Sequence, residues 1–147
     1  MAAVTQEIVV ACAPERLFDV IVDYARYPEF VPGIGACRPK AGADRLVEYE
    51  LDLGIKRIKY VLRHLEERPR RVSWSLESGE LMKVSNGEWL LTPEGATTRA
   101  RYTVDIQISK PPFIPQSVID RVSDELTRVQ LPKTLAAFKA RAEATGR

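Results

Sequence analysis

The sequence predicts an α+β fold: a curved antiparallel sheet of roughly six or seven strands wrapped around a long C-terminal helix, with short helices after the first strand. Three observations predict it. From about Ile34 to Ser109 apolar and polar residues alternate with a period of two, the pattern of strands with one dry face and one wet face. From about Gln116 to Ala144 the apolar spacing becomes helical. Between the first apolar run and the alternating region lies "DYARYPEFVPG", Asp23 to Gly33, rich in aromatics and prolines.

Each element has its own signal. "VTQEIVVAC", Val4 to Cys12, is short and β-branched and reads as a first strand. In "APERLFDVIVDYARY" Pro14 suits a first helical turn, with Glu15 near the positive end of the helix dipole. Leu17, Phe18, Ile21 and Val22 form one apolar face. This helix is expected to end near Tyr27, because Pro28 disfavours helical geometry in the residue before it.

The alternating runs follow. Val47, Tyr49, Leu51 and Leu53 face one way against Glu48, Glu50 and Asp52. Ile58, Tyr60, Leu62 and His64 oppose Arg57, Lys59, Val61 and Arg63. Val72, Trp74 and Leu76 oppose Ser73, Ser75 and Glu77, and Trp89 and Leu91 share that facing. Ala100, Tyr102, Val104, Ile106 and Ile108 point inward against Arg99, Arg101 and Asp105. Turn signals at "LGIK", "ERPRR", "SNG" and "TPEGAT" separate the runs, so an antiparallel meander is expected. "KPPFIPQ" ends the sheet. The last helix carries Ile119, Val122, Leu126 and Val129, then Leu135 and Phe138, over roughly 40 Å, with a kink expected at Pro132.

A single domain over residues 1–147 accommodates this pattern. Net charge is +2, from 22 Lys and Arg against 20 Asp and Glu, which gives no general electrostatic case for nucleic acid. Arg57, Lys59, Arg63, Arg70, Arg71, Arg99 and Arg101 mark the outer sheet face, interleaved with glutamates that favour cross-strand ion pairs over an RNA surface. Cys12 and Cys37 lack metal or redox spacing and read as buried thiols. No signal-peptide pattern and no apolar run near ~20 residues occurs, so the expected compartment is the cytoplasm. No metal and no cofactor is expected.

A helix laid across a bent sheet touches it along a line, so space for a hydrophobic molecule remains between them. The candidate ligand-binding residues on the sheet are Tyr49, Leu51, Tyr60, Leu62, His64, Trp74, Leu76, Trp89, Tyr102 and Val104. Met82 is a candidate gate or core residue, and Val122 and Leu126 supply the helix side. Tyr27 and Phe30 come from the aromatic segment, which forms either a rigid lip at the cavity mouth or an ordinary core cap. His64, the only histidine, either points into the cavity as a general base or sits at a strand end with its ring partly wet. Trp74, Trp89, Tyr49, Tyr60 and Tyr102 bring polar tips that need partners when buried: a ligand oxygen, water or backbone.

Three stretches carry a family resemblance. "APERLFDVIVDYARYPEFVPG", "SGELMKVSNGEWLLTPEG" and "LPKTLAAFKARAE" resemble the START-like, helix-grip (SRPBCC) superfamily, within it the polyketide cyclase/dehydrase and coenzyme Q-binding branch that includes the ribosome-association toxin A proteins. The resemblance implies binding, transport or sequestration of a polyketide, quinone or lipid. It also implies two alternatives: a polyketide cyclase or aromatase with His64 or a tyrosine moving protons, and an interaction module contacting a ribosome or a membrane surface.

Overall fold

The computed structural model describes residues 4–40, 45–52, 57–80, 82–109 and 112–145. The chain begins with strand β1 (Val4–Val10), helix α1 (Pro14–Val22), a 3-10 turn (Tyr24–Arg26) and the one-turn helix α2 (Tyr27–Phe30). Strands β2 (Ile34–Pro39), β3 (Arg45–Asp52), β4 (Arg57–Glu67), β5 (Arg71–Gly79), β6 (Met82–Glu94) and β7 (Thr97–Ile108) follow. Helix α3 (Gln116–Asp124), a π turn (Glu125–Gln130) and helix α4 (Leu131–Thr145) close the chain. The strands make one seven-stranded sheet in the order β1-β7-β6-β5-β4-β3-β2, every neighbouring pair antiparallel. It curls into a half barrel against the C-terminal helical segment, which is the α+β helix-grip arrangement.

Two local expectations are corrected. The first helix stops at Val22, not near Tyr27. Pro28 then sits at the second position of α2, where a backbone N–H has no helical acceptor to lose. "SNG" is not a turn: Asn86 and Gly87 lie inside β6. Gly87 pairs with Trp74 in register, and a β-carbon there would stand 2.6 Å from the Trp74 ring and 2.5 Å from the Thr103 carbonyl oxygen. Glycine is present so that the indole can lie across the strand. The turn that the sequence does encode is Gly95 (φ +62°) and Ala96, linking Glu94 to its partner Thr97. "LGIK", with Leu53, lies outside the described residues.

The irregularity expected at Pro132 takes a specific form. The Leu131 N–H reaches back to the Leu126 carbonyl, one residue further than in an α-helix. Pro132 has no N–H and its ring crowds the turn before it, and the widened π turn absorbs both defects. The helical segment therefore continues past the proline. Its far half is tied to the N-terminal strand: Lys139 Nζ donates to the Val9 carbonyl at 2.7 Å, and the Ala11 N–H donates to Glu143 Oε2 at 2.9 Å.

The concave face of the sheet is dry and the outer face is charged. Val47, Tyr49, Leu51, Ile58, Leu62, Val72, Trp89, Leu91, Ala100 and Val104 are all buried. Two apolar clusters share this face. The larger joins the middle of the sheet to α1, α2 and α4 through Leu17, Ile21, Tyr27, Leu135 and Phe138. The smaller sits under α3 and is made of Leu51, Ile58, Met82, Val122 and Leu126. On the outer face Arg63 pairs with Glu77 at 2.9 Å, Arg71 with Glu88 at 2.8 Å, and Arg38 with Glu50 at 2.8 Å. Cys12 and Cys37 are both free and buried, and burial pushes the Cys37 thiol up to about 12. No helix among the described residues is long and apolar enough to cross a membrane.

Candidate functional site

Between the two clusters the concave face is hollow. A cavity of about 120 Å³ lies between the sheet and the helical segment. Its helix wall is Leu126, Leu131 and Phe138, with Gln130 and Thr134 as polar members. Its sheet wall is aromatic, because inward positions of β3 to β7 carry Tyr49, Tyr60, His64, Trp74, Trp89 and Tyr102. These rings touch in a chain: Tyr49 stacks on Tyr60 at 5.2 Å between centroids, and Trp74 and Trp89 flank Tyr102 at 5.5 and 4.8 Å. Such offset and edge contacts fix ring positions more firmly than aliphatic packing would.

Two polar groups at one end are already committed to each other. The Tyr49 hydroxyl and His64 Nε2 are 2.8 Å apart. His64 is 7% exposed, and its Nδ1 is buried without a hydrogen-bond partner. The reading of a partly wet ring at a strand end is thereby corrected: Tyr24, whose ring centroid is 4.5 Å away, closes over the imidazole. Burial lowers the His64 pKa to about 4, so the ring is neutral at physiological pH. Burial also raises the phenols of Tyr27, Tyr49, Tyr60 and Tyr102 above their ordinary range, which keeps them protonated.

The aromatic segment after α1 is packed as core. The Tyr24 hydroxyl donates to Glu66 Oε2 at 2.8 Å, and the Tyr27 hydroxyl donates to the Ile21 carbonyl. Tyr27 faces the cavity. Phe30 does not: it packs behind Tyr27 and Phe138, at 5.9 and 5.3 Å between centroids, with the Arg141 guanidinium over its ring at 4.9 Å. The Pro32 carbonyl accepts from Gln130 Nε2, so this segment is fastened to the π turn.

Of the candidates read from the sequence, Tyr27, Tyr49, Leu51, Tyr60, Leu62 and His64 line the cavity. So do Trp74, Trp89, Tyr102, Val104 and Leu126. Leu76, Met82 and Val122 do not: Met82 and Val122 belong to the smaller cluster beneath α3, where Met82 is core rather than a gate, and Leu76 is half-buried against both clusters. Sequence reasoning missed Ile21, Val31, Ile34, Leu131 and Phe138. It also passed over Val72 and Ile106, whose inward facing the alternation had already given. Ser85, Gln130 and Thr134 carry no signal in the sequence, since a lone polar residue at an inward position looks like a solvent-facing one. Among the described residues no group of His, Cys, Asp or Glu could hold a metal ion.

A sheet gripped around a terminal helix over an apolar, ring-lined hollow defines a START-like helix-grip protein. Residues 1–143 match the family described as polyketide cyclase / dehydrase and lipid transport, and the chain belongs to that family. Among solved structures it is similar to the Zhui aromatase/cyclase from Streptomyces sp. R1128, with a TM-score of 0.87 and 16% identity over 99% of this chain and 96% of that one. It is also similar to a START superfamily protein from Mycobacterium smegmatis, with a TM-score of 0.77 and 17% identity over 97% of each chain. The di-domain ARO/CYC StfQ of the steffimycin biosynthetic pathway matches at a TM-score of 0.79 and 14% identity, over 97% of this chain and 50% of that one. At these identities the likeness is one of fold. No curated protein sequence matches the chain.

Proposed function

We propose that the protein binds a hydrophobic, ring-bearing small molecule in the cavity between sheet and helix, and carries or sequesters it. The observation that supports this reading is the hollow itself. Its roughly 120 Å³ is walled by aromatic and aliphatic side chains that neighbouring side chains leave unfilled. An apolar cavity of about 150 Å³ takes up benzene; the present space is somewhat smaller but of the same order, so a single ring, alone or at the end of a longer polyketide, quinone or lipid, is the most it would take without side-chain movement. Affinity would come from apolar burial at roughly 25 cal/mol per Å² before association costs. The site belongs, in this proposal, to a single domain over residues 1–147 working in the cytoplasm.

Thermal unfolding with a panel of hydrophobic rings tests it. A ligand present at about a hundred times its Kd stabilises by about 2.7 kcal/mol, several degrees in Tm. Val104 lines the cavity and is 5% exposed. Val104→Phe fills the space and should abolish the shift while the chain still folds; His64→Ala should leave the shift in place. An unchanged shift in Val104→Phe would place the ligand elsewhere. Native mass spectrometry of protein from its own host then identifies any retained molecule.

The second reading is a polyketide cyclase or aromatase. It is favoured by the family and by the Tyr49–His64 pair at 2.8 Å, two proton-bearing groups that both line the cavity. Such a pocket would act by holding reactive carbons of a poly-β-ketone close together. Turnover of a poly-β-ketone mimic that is lost in His64→Ala would select this reading over simple binding.

A further inference from the structure

The inner and outer faces of the sheet differ in more than polarity. The outer face carries arginines and glutamates in pairs. The cavity wall carries polar atoms, yet every described residue that lines it is uncharged. The titratable groups that face it are Tyr27 from α2, Tyr49 from β3, Tyr60 and His64 from β4, and Tyr102 from β7. β5 and β6 bring Trp74, Ser85 and Trp89, and the helical segment brings Gln130 and Thr134. Burial holds the phenols in their neutral form and the imidazole in its own.

Some of these tips have no hydrogen-bond partner among the described residues. The hydroxyls of Tyr60, Tyr102 and Ser85 make no hydrogen bond with another described residue. Each can donate to a neutral oxygen acceptor, and none supplies a positive charge. A carboxylate entering here would lose its hydration and gain only neutral donors. Three neutral hydroxyls replace only part of the lost hydration, and burying an ion without a counter-charge costs several kcal/mol, so the ligand would bind protonated instead.

We propose that the cavity selects by charge: it accepts a ring-bearing ligand that presents an uncharged oxygen acceptor, a ketone, quinone or phenol, and excludes the ionised carboxylate of the same shape. This rests on the binding reading above and narrows its ligand class away from free fatty and aromatic acids. Tyr60, Tyr102 and Ser85 would orient the acceptor toward the sheet, leaving the apolar part of the ligand against Leu126, Leu131 and Phe138.

A matched pair of single-ring probes tests the proposal: acetophenone, neutral at every pH used, and benzoic acid, with a carboxyl pKa of about 4. Binding to the intact chain is followed between about pH 5.5 and 8 through the emission of Trp74 and Trp89, the two tryptophans of the sequence and both part of the wall. His64, at about 4, does not titrate in this window. The expected result is a constant Kd for acetophenone and a Kd for benzoic acid that rises about tenfold per pH unit, because only the vanishing neutral fraction binds. Benzoate affinity that stays level across the window while acetophenone also binds would overturn charge selection and leave the binding reading standing. Failure of both probes at every pH would overturn the binding reading and the selection with it.

Discussion

Leu62 and Arg63 are consecutive residues of β4, yet they live in different solvents. Leu62 points into the cavity and is 6% exposed. Arg63 points outward and meets Glu77 at 2.9 Å across the strand, with both side chains 42% exposed. The same contrast repeats along β7, where Val104 faces the cavity and Arg99 and Arg101 reach Glu7 at 3.4 and 3.2 Å. A pleated strand separates its two faces by one residue step, so a sheet can carry dense charge and a charge-free wall in the same sequence. The contrast teaches that the low net charge of this chain is not an even mixture. The charge is sorted to the face where water screens it, and the inner face is left neutral.

The largest test breaks the sorting on the inner side. Leu62→Asp places an unpaired carboxylate among Tyr49, His64 and the apolar core. An uncompensated buried charge costs about 3–5 kcal/mol, and urea unfolding should show the midpoint collapse by that much. A loss below about 1 kcal/mol would mean that water reaches this wall freely.

The second test uses His64, the one basic group among the described residues that line the cavity. The His64 pKa is lowered to about 4 from the ordinary 6.5 by burial. Above pH 6.5 both folded and unfolded chains carry the neutral ring, and the full stability is present. As pH falls from 6.5 to about 4 the unfolded state takes up a proton that the folded state refuses, so stability drops. The whole drop is about 3 kcal/mol. It is isolated as the difference between the wild type and His64→Gln, measured by urea unfolding across that range; parallel pH curves for the two proteins would place the ring in water.

How much of this contrast the sequence held depends on the element. The facing of β3 to β7 was legible because one alternating run fixes every side chain in it at once: Tyr49, Leu62, Trp74, Trp89 and Val104 all follow. The helix boundaries were less so. Pro28 has opposite meanings inside a first turn and inside a helix body, and only the tertiary fold decides which applies. Gly87 reads as a turn residue until the Trp74 ring that needs its empty side is in view. The cavity was legible as a principle, but its position was not. Val122 belongs to the same apolar stripe as Leu126, Met82 comes inward only through the register shift between it and Val84, and no pattern says that the helix fills the sheet under α3 and leaves it hollow further along. Ser85 and Gln130 were invisible for a related reason: a neutral polar residue gains its role from the space it meets.

The smallest test lies on the outer side. Arg63 and Glu77 pair across β4 and β5 at 2.9 Å, and water reaches both, each side chain being 42% exposed. Exposed pairs of this kind are worth about 0.2–1 kcal/mol, and holding two long side chains in place consumes part of the gain. Arg63→Ala, Glu77→Ala and the double variant form a cycle whose coupling should fall in that range and shrink as salt is raised toward 1 M, where the screening length drops from roughly 10 Å at 0.1 M to about 3 Å, the length of the pair itself. The comparison with Leu62→Asp then becomes quantitative: one residue step along the same strand should change the cost of altering a charge severalfold. A coupling as large as the Leu62→Asp loss would show the outer pair to be as dry as the cavity wall, and the sorting of charge by face would lose its physical basis.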